Sequence, residues 1–137
     1  MYLLDTNVIS ELRRPRPHGA VLSWLNAAAA ADLHVSAVTI GEIQAGIENT
    51  RETDASKATE LEAWLDQIAA SMSILSMDVR CFRLAARLMH RRPGHLAEDA
   101  MIAATAAVHG LTVVTRNLRD FTSLGVRTLD PFTPDTV

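Results

Sequence analysis

Four acidic or amide positions lie far apart in this chain, at Asp5, Glu42, Asp99 and the pair Asn117 and Asp120. Each stands beside the end of an apolar, strand-like run or near the start of an apolar helix. Asp5 follows Tyr2-Leu3-Leu4, and Glu42 comes soon after Leu33-His34-Val35-Ser36. Asp99 begins the helical stretch Ala100 to Ala104, and Asn117 follows Leu111 to Arg116. Carboxylates at element ends in an α/β protein can converge at one edge of the sheet, where a divalent cation would sit. Three of them within a few ångströms repel by roughly 4 kcal/mol per pair at 4 Å and an effective dielectric near 20. A fold tolerates that when a cation or proton is shared among them. Taken singly, Asp99 or Glu42 also fits an acid that caps or solvates its own helix. Asp5 is different, because a charge ending a buried strand is desolvated unless something binds it.

The remaining composition narrows the ion. Cys81 is the only cysteine, so no internal disulfide forms and a thiolate metal site is implausible. The histidines at 18, 34, 90, 95 and 109 include no i, i+4 pair, which removes the helical zinc arrangement. A metal would be held mainly by oxygen, favouring Mg²⁺ or Mn²⁺. Net charge is −3, so the overall electrostatics do not announce a nucleic-acid binder. Of the thirteen basic residues only Lys57 is lysine, and the arginine fork suits phosphate oxygens. Genomic base composition gives the same bias.

The elements that must position these groups are readable from periodicity. A short first strand ends at Asp5, and Asn7 or Thr6 is expected to cap the helix of Val8, Ile9 and Leu12. Arg13 to Pro17 breaks it. A second helix carries Val21, Leu22, Trp24 and Leu25, and Leu33 to Ser36 is the second strand. Val38, Ile40, Ile43 and Ile47 mark a third helix, with Glu42 in its first turns and a polar loop from Thr50 to Ser56. Leu61, Trp64, Leu65, Ile68 and Met72 follow helical spacing. Ile74 to Ser76 is a third strand. Asp78 caps a helix with Val79, Phe82, Ala86 and Met89 on one face, and Arg92-Pro93-Gly94 ends it. A helix from about Ala97 to His109 stops at Gly110, Leu111 to Thr115 is a buried strand, and a helical turn carries Asp120 and Phe121. Val126 to Leu129 is the last strand, with a tail from about residue 130.

Strands separated by helices need crossover connections, so the expected fold is α/β, a three-layer α/β/α sandwich with a mostly parallel central sheet. A length of 137 residues with 48% hydrophobic content fits one domain spanning 1–137. No apolar run approaches a membrane span and no basic, apolar leader opens the chain, so a cytoplasmic location without membrane attachment is expected. In parallel sheets ligands bind beyond the carboxyl ends of the strands, near the point where strand order reverses.

Four blocks carry a resemblance. They are Leu3 to Ser10, Val35 to Ile43, Asp99 to Ala106, and Val114 to Phe121, and together they span nearly the whole chain. Their order and spacing resemble the PIN-domain ribonucleases, and within them the VapC-type toxins of type II toxin–antitoxin systems. The start Leu-Asp-Thr-Asn-Val-Ile-Ser-Glu looks like the FitB-like branch. The resemblance implies a metal-dependent endoribonuclease that hydrolyses RNA phosphodiester bonds, with Mg²⁺ as cofactor and Mn²⁺ able to substitute. It implies an acidic cluster at Asp5, Glu42 and Asp99, with Asp5 and Asp99 as direct ligands and Glu42 positioning metal or water. Many relatives carry an aspartate where Asn117 stands, so Asn117 and Asp120 are both candidates for the fourth position.

Thr6 and Thr115 offer supporting hydroxyls beside the cluster, or ordinary strand-end hydrogen bonds. Glu98 reads as a first-turn helix residue favoured by the dipole. Arg13, Arg14 and Arg16 are the candidates for RNA contact. Arg80, Arg83, Arg87 and Arg91 share a helix face and read as a solvated stripe or a phosphate contact. The resemblance further implies a homodimer and a cognate VapB-type antitoxin, with DNA reached only through that antitoxin. Two rivals stand beside it. A haloacid-dehalogenase-like phosphatase needs an aspartate where Asn7 lies, and a non-catalytic PIN-fold module would bind RNA or a partner without cleavage.

Overall fold

The computed structural model describes residues 1–133. Five strands, β1 (Tyr2–Leu4), β2 (Leu33–Ser36), β3 (Ser73–Leu75), β4 (Thr112–Val114) and β5 (Thr128–Leu129), form one sheet in the order β3-β2-β1-β4-β5. Every pairing is parallel, so the sheet is wholly rather than mostly so. The helices are α1 (Thr6–Glu11), α2 (Gly19–Ala27), α3 (Ala37–Arg51), α4 (Ala55–Ser71), α5 (Val79–Met89), α6 (Ala97–His109) and α7 (Leu118–Ser123).

Alternation along the central strands builds both cores. Leu3 and Val113 pair in register and point to one face, against Ala100, Ala103 and Phe121 of α6 and α7. Leu4, Val35 and Val114 point to the other face, against Val8, Ile9 and Val21 of α1 and α2. These strands are buried on both sides, which is why they read as continuous apolar runs. Helices therefore cover both faces of the sheet, the three-layer arrangement expected for crossover connections.

Several local expectations shift. The cap of α1 is Asp5 itself, whose Oδ1 accepts from the Thr6 amide at 2.7 Å, so neither Thr6 nor Asn7 caps it. The polar loop after α3 shrinks to residues 52–54, because Asp54 caps α4 through the Lys57 amide. The face of α5 is rotated from the expected one. Cys81 and Ala85 are buried while Val79 and Phe82 are 72% and 54% exposed. Small residues win this face because they let α5 approach the alanine-rich α6 closely, and Leu84 and Leu88 flank them. Strand β5 is shorter than expected and covers only Thr128 and Leu129.

The expected tail from residue 130 is not loose where it is described. Phe132 is buried and joins the core of Leu4, Val8 and Val114. Its ring lies 3.8 Å below the Arg116 guanidinium carbon and meets the His18 ring edge-on. The last part of that tail, 134–137, lies outside the described residues.

Candidate active site

The strand order reverses at β1, which β2 and β4 flank. Asp5 and Thr115 stand immediately beyond the carboxyl ends of β1 and β4, at that switch point. Asp5 is 5% exposed and accepts three hydrogen bonds. They come from the Thr6 amide at 2.7 Å, the Asn7 Nδ2 at 3.1 Å and the Thr115 Oγ1 at 2.8 Å. Burial raises the Asp5 pKa, and these three donors oppose that rise.

A string of short contacts runs from Asp5 to Asp99. Thr115 Oγ1 accepts from the Asn117 amide at 2.9 Å, and Asn117 Nδ2 donates to Asp99 Oδ2 at 3.2 Å and to Asp120 Oδ2 at 3.0 Å. Asn117 occupies the cap position of α7, yet its side chain makes no capping bond. Its amide is turned to the two carboxylates instead. Asp99 is pushed up to about 6, first by burial and then by the charges of Asp5, Asp120 and Glu98, with His95 opposing.

Glu42 completes the other flank. It lies in the second turn of α3, and Thr6 Oγ1 donates to its Oε1 at 3.2 Å. Burial and the facing Glu98 carboxyl push Glu42 up to about 8, with the Asp5 charge adding to the effect. The crowding of acids anticipated from the sequence is thus expressed as raised pKa values rather than as ion pairs.

Asp5, Glu42, Asp99, Asn117, Asp120, Thr6 and Thr115 therefore meet at one sheet edge. The three loop arginines diverge. Arg13 lines a cavity beside Thr6 and Glu42, Arg14 is ion-paired to the buried Glu11 at 3.1 Å, and Arg16 is exposed. Arg80, Arg83, Arg87 and Arg91 are all exposed, and Arg80 bonds Asp78 at 3.1 Å.

Three participants have roles that the sequence did not indicate. Asn7 bridges Asp5, Thr115 and, through its Oδ1, the Arg116 amide at 3.2 Å. Glu98 faces Glu42 rather than only serving the start of α6. Thr39 lies fully buried, 3.2 Å from the Thr6 hydroxyl. Asn7 left a signal as a polar residue two positions beyond Asp5, and Glu98 as a further acid beside Asp99, while Thr39 left none.

The donor set is oxygen-only, which suits a hard cation. Among the described residues no three acids, imidazoles or thiols form a ready-made ion cage. A Mg²⁺ site does not require one, since that ion keeps several waters and binds through one or two carboxylates plus substrate phosphate. Also among the described residues, no helix is long and apolar enough to cross a membrane.

The model of the PIN domain matches residues 2–126. This chain belongs to the PIN domain family. Three similar proteins give the membership detail. The plasmid stability protein StbB of Pseudomonas syringae pv. tomato is 38% identical, over 96% of this chain and 99% of its own length. Toxin FitB of Neisseria gonorrhoeae is 34% identical with the same coverage of both chains. The VapC ribonuclease Y4jK of Sinorhizobium fredii is 35% identical over 98% of this chain and 99% of that one. The crystal structure of FitAcB from Neisseria gonorrhoeae superposes on this PIN domain with a TM-score of 0.84 at 34% identity, covering 96% of this chain and 99% of the other.

Proposed function

We propose that this PIN domain is a Mg²⁺-dependent endoribonuclease, able to use Mn²⁺, acting as the toxin of a type II toxin–antitoxin pair. The observation that carries it is the string from Asp5 through Thr115 and Asn117 to Asp99, with Glu42 attached through Thr6. Relatives named as a toxin and as a VapC ribonuclease, similar over nearly their whole lengths, support the same reading.

In this reading Asp5 and Asp99 hold the ion, and Thr115 and Asn117 fix the carboxylate oxygens that face it. A bound divalent cation supplies Lewis-acid polarisation of the phosphate and a lowered pKa for water. Glu42, held by the Thr6 hydroxyl on the flank of the cluster, would orient the attacking water and accept its proton in its ionised form. Asn117 acts as a donor that keeps Asp99 and Asp120 together, so Asp120 would be the further carboxylate available beside the ion. Residues 1–137 work as one domain in the cytoplasm. The partners are RNA, a second copy of the chain and a VapB-type antitoxin that carries any DNA binding.

The test is cleavage of single-stranded RNA by purified protein, with end-sequencing of products in Mg²⁺, Mn²⁺ and EDTA. Cleavage that needs the cation and vanishes in Asp5→Asn and Asp99→Asn is the expected result. Cleavage persisting in EDTA overturns the metal-dependent mechanism. Cation binding without any cleavage favours the non-catalytic module. Co-purification with the product of an adjacent small gene, and light scattering of the complex, check the partners.

A further inference from the structure

We infer that the cavity between α1, α3 and α4 is a nucleotide subsite, seating one unit of the RNA strand next to the phosphate at Asp5 and Asp99. This rests on the ribonuclease reading above. The cavity measures about 340 Å³, and Thr6 and Glu42 form its wall toward the acidic cluster.

Its lining has the mixed chemistry of a nucleotide. Arg13 from the turn after α1 and Lys57 from the first turn of α4 bring two cations to the lining. Among the described residues Arg13 has no ion pair and the only ion-pair partner of Lys57 is Glu60 at 3.5 Å, both side chains of that pair being exposed. Such a pair is weak, so Lys57 is available to a phosphate. Ser10 and Thr50 offer hydroxyls to a ribose or base edge, and Ile43 and Leu61 give an apolar surface for a base.

Two features keep this cavity set. Buried Glu11 accepts from the His18 amide at 3.1 Å and pairs with Arg14, which fixes the turn presenting Arg13. Gly46 sits inside α3, where glycine weakens a helix. A Cβ added there meets nothing within 4 Å, so the missing side chain leaves room on the cavity side.

That empty space gives the test. Binding of a fluorescein-labelled 20-nucleotide single-stranded RNA is followed by anisotropy in Ca²⁺ across a salt series, with cleavage in Mg²⁺ measured in parallel. Arg13→Ala/Lys57→Ala should weaken binding at least tenfold and flatten the salt slope by about 0.7 per lost phosphate contact. Gly46→Leu, whose Cβ meets nothing within 4 Å and whose remaining atoms extend into the cavity, should weaken binding similarly and leave the slope unchanged. Arg127→Ala, exposed before β5 at the opposite edge of the sheet, should bind as wild type. Wild-type RNA affinity in both cavity variants overturns the subsite, and it does so equally if they lose only a peptide partner. An equal loss in Arg127→Ala overturns it too, as diffuse charge attraction. If wild type binds in this pattern but cuts nothing in Mg²⁺, the nuclease reading falls and the subsite stands.

Discussion

Thr115 Oγ1 donates to Asp5 Oδ2 at 2.8 Å while accepting from the Asn117 amide at 2.9 Å, so one hydroxyl couples the ends of β1 and β4. It is fully buried. Thr115→Val keeps the shape and removes the hydroxyl, leaving Asp5 one donor short and the Asn117 amide without its acceptor. The expected cost is about 1–3 kcal/mol of stability for an unsatisfied buried group. Urea unfolding should read it, and RNA cleavage should fall by about an order of magnitude as the Asp5 carboxylate loses its fixed orientation.

Asp5→Asn removes the buried anion and keeps the side-chain size. RNA cleavage in Mg²⁺ should drop on the order of a hundredfold or more, the scale of losing a group that stabilises transition-state charge. Circular dichroism should stay native. Full cleavage by this variant would remove Asp5 from the site.

Asn117→Asp tests whether an amide is needed between Asp99 and Asp120. The substitution replaces a donor with a third anion at 3.0–3.2 Å contacts, a repulsion of about a few kcal/mol at an effective dielectric near 20. Melting temperature should fall in EDTA and recover in Mg²⁺ or Mn²⁺. A variant equally stable in both conditions would mean that the amide clamp contributes little.

Glu42 and Asp99 give the pH dependence a definite sign. Both have folded pKa values raised, to about 8 and about 6, above the ordinary carboxyl values of 4.5 and 3.8. A raised pKa gives stability that is complete below the unfolded value and lost as pH rises through the folded one. In EDTA the protein should therefore lose stability from about pH 4 upward, with the last portion disappearing near pH 8. Glu42→Gln should flatten the upper part of that melting curve. An increase in stability toward pH 8 in EDTA would contradict the crowded-acid site.

Phe132→Ala removes a buried ring that supports Arg116 and touches His18. About 3 kcal/mol or more of destabilisation is expected in urea. A negligible change would restore the view that the chain is a passive tail after β5.

Fold class and the meeting of the acids at one sheet edge were legible in the sequence because they depend on long apolar runs and on acids at their ends. Leu3-Leu4 before Asp5 and Val113-Val114 before Thr115 fixed the two central strands. Contacts made across the sheet left little trace. Asn7 reads as a local polar residue, and its bonds to Thr115 and Arg116 arise only when β1 and β4 pair. The α5 face was misjudged for a related reason. Val79 and Phe82 are the larger apolar residues, but close packing on α6 selects Cys81 and Ala85. Phe132 looked like part of a tail because aromatic burial after the last strand follows no periodic pattern.

The Thr115 bond to Asp5 joins positions separated by 110 residues. During synthesis the N-terminal half emerges long before β4 exists, and β1 lacks its neighbour on that side until residue 114 is released. Asp99 and Asn117 are late arrivals as well. A nascent chain on the ribosome thus holds its acids unassembled until β4 and the residues just beyond it have been released.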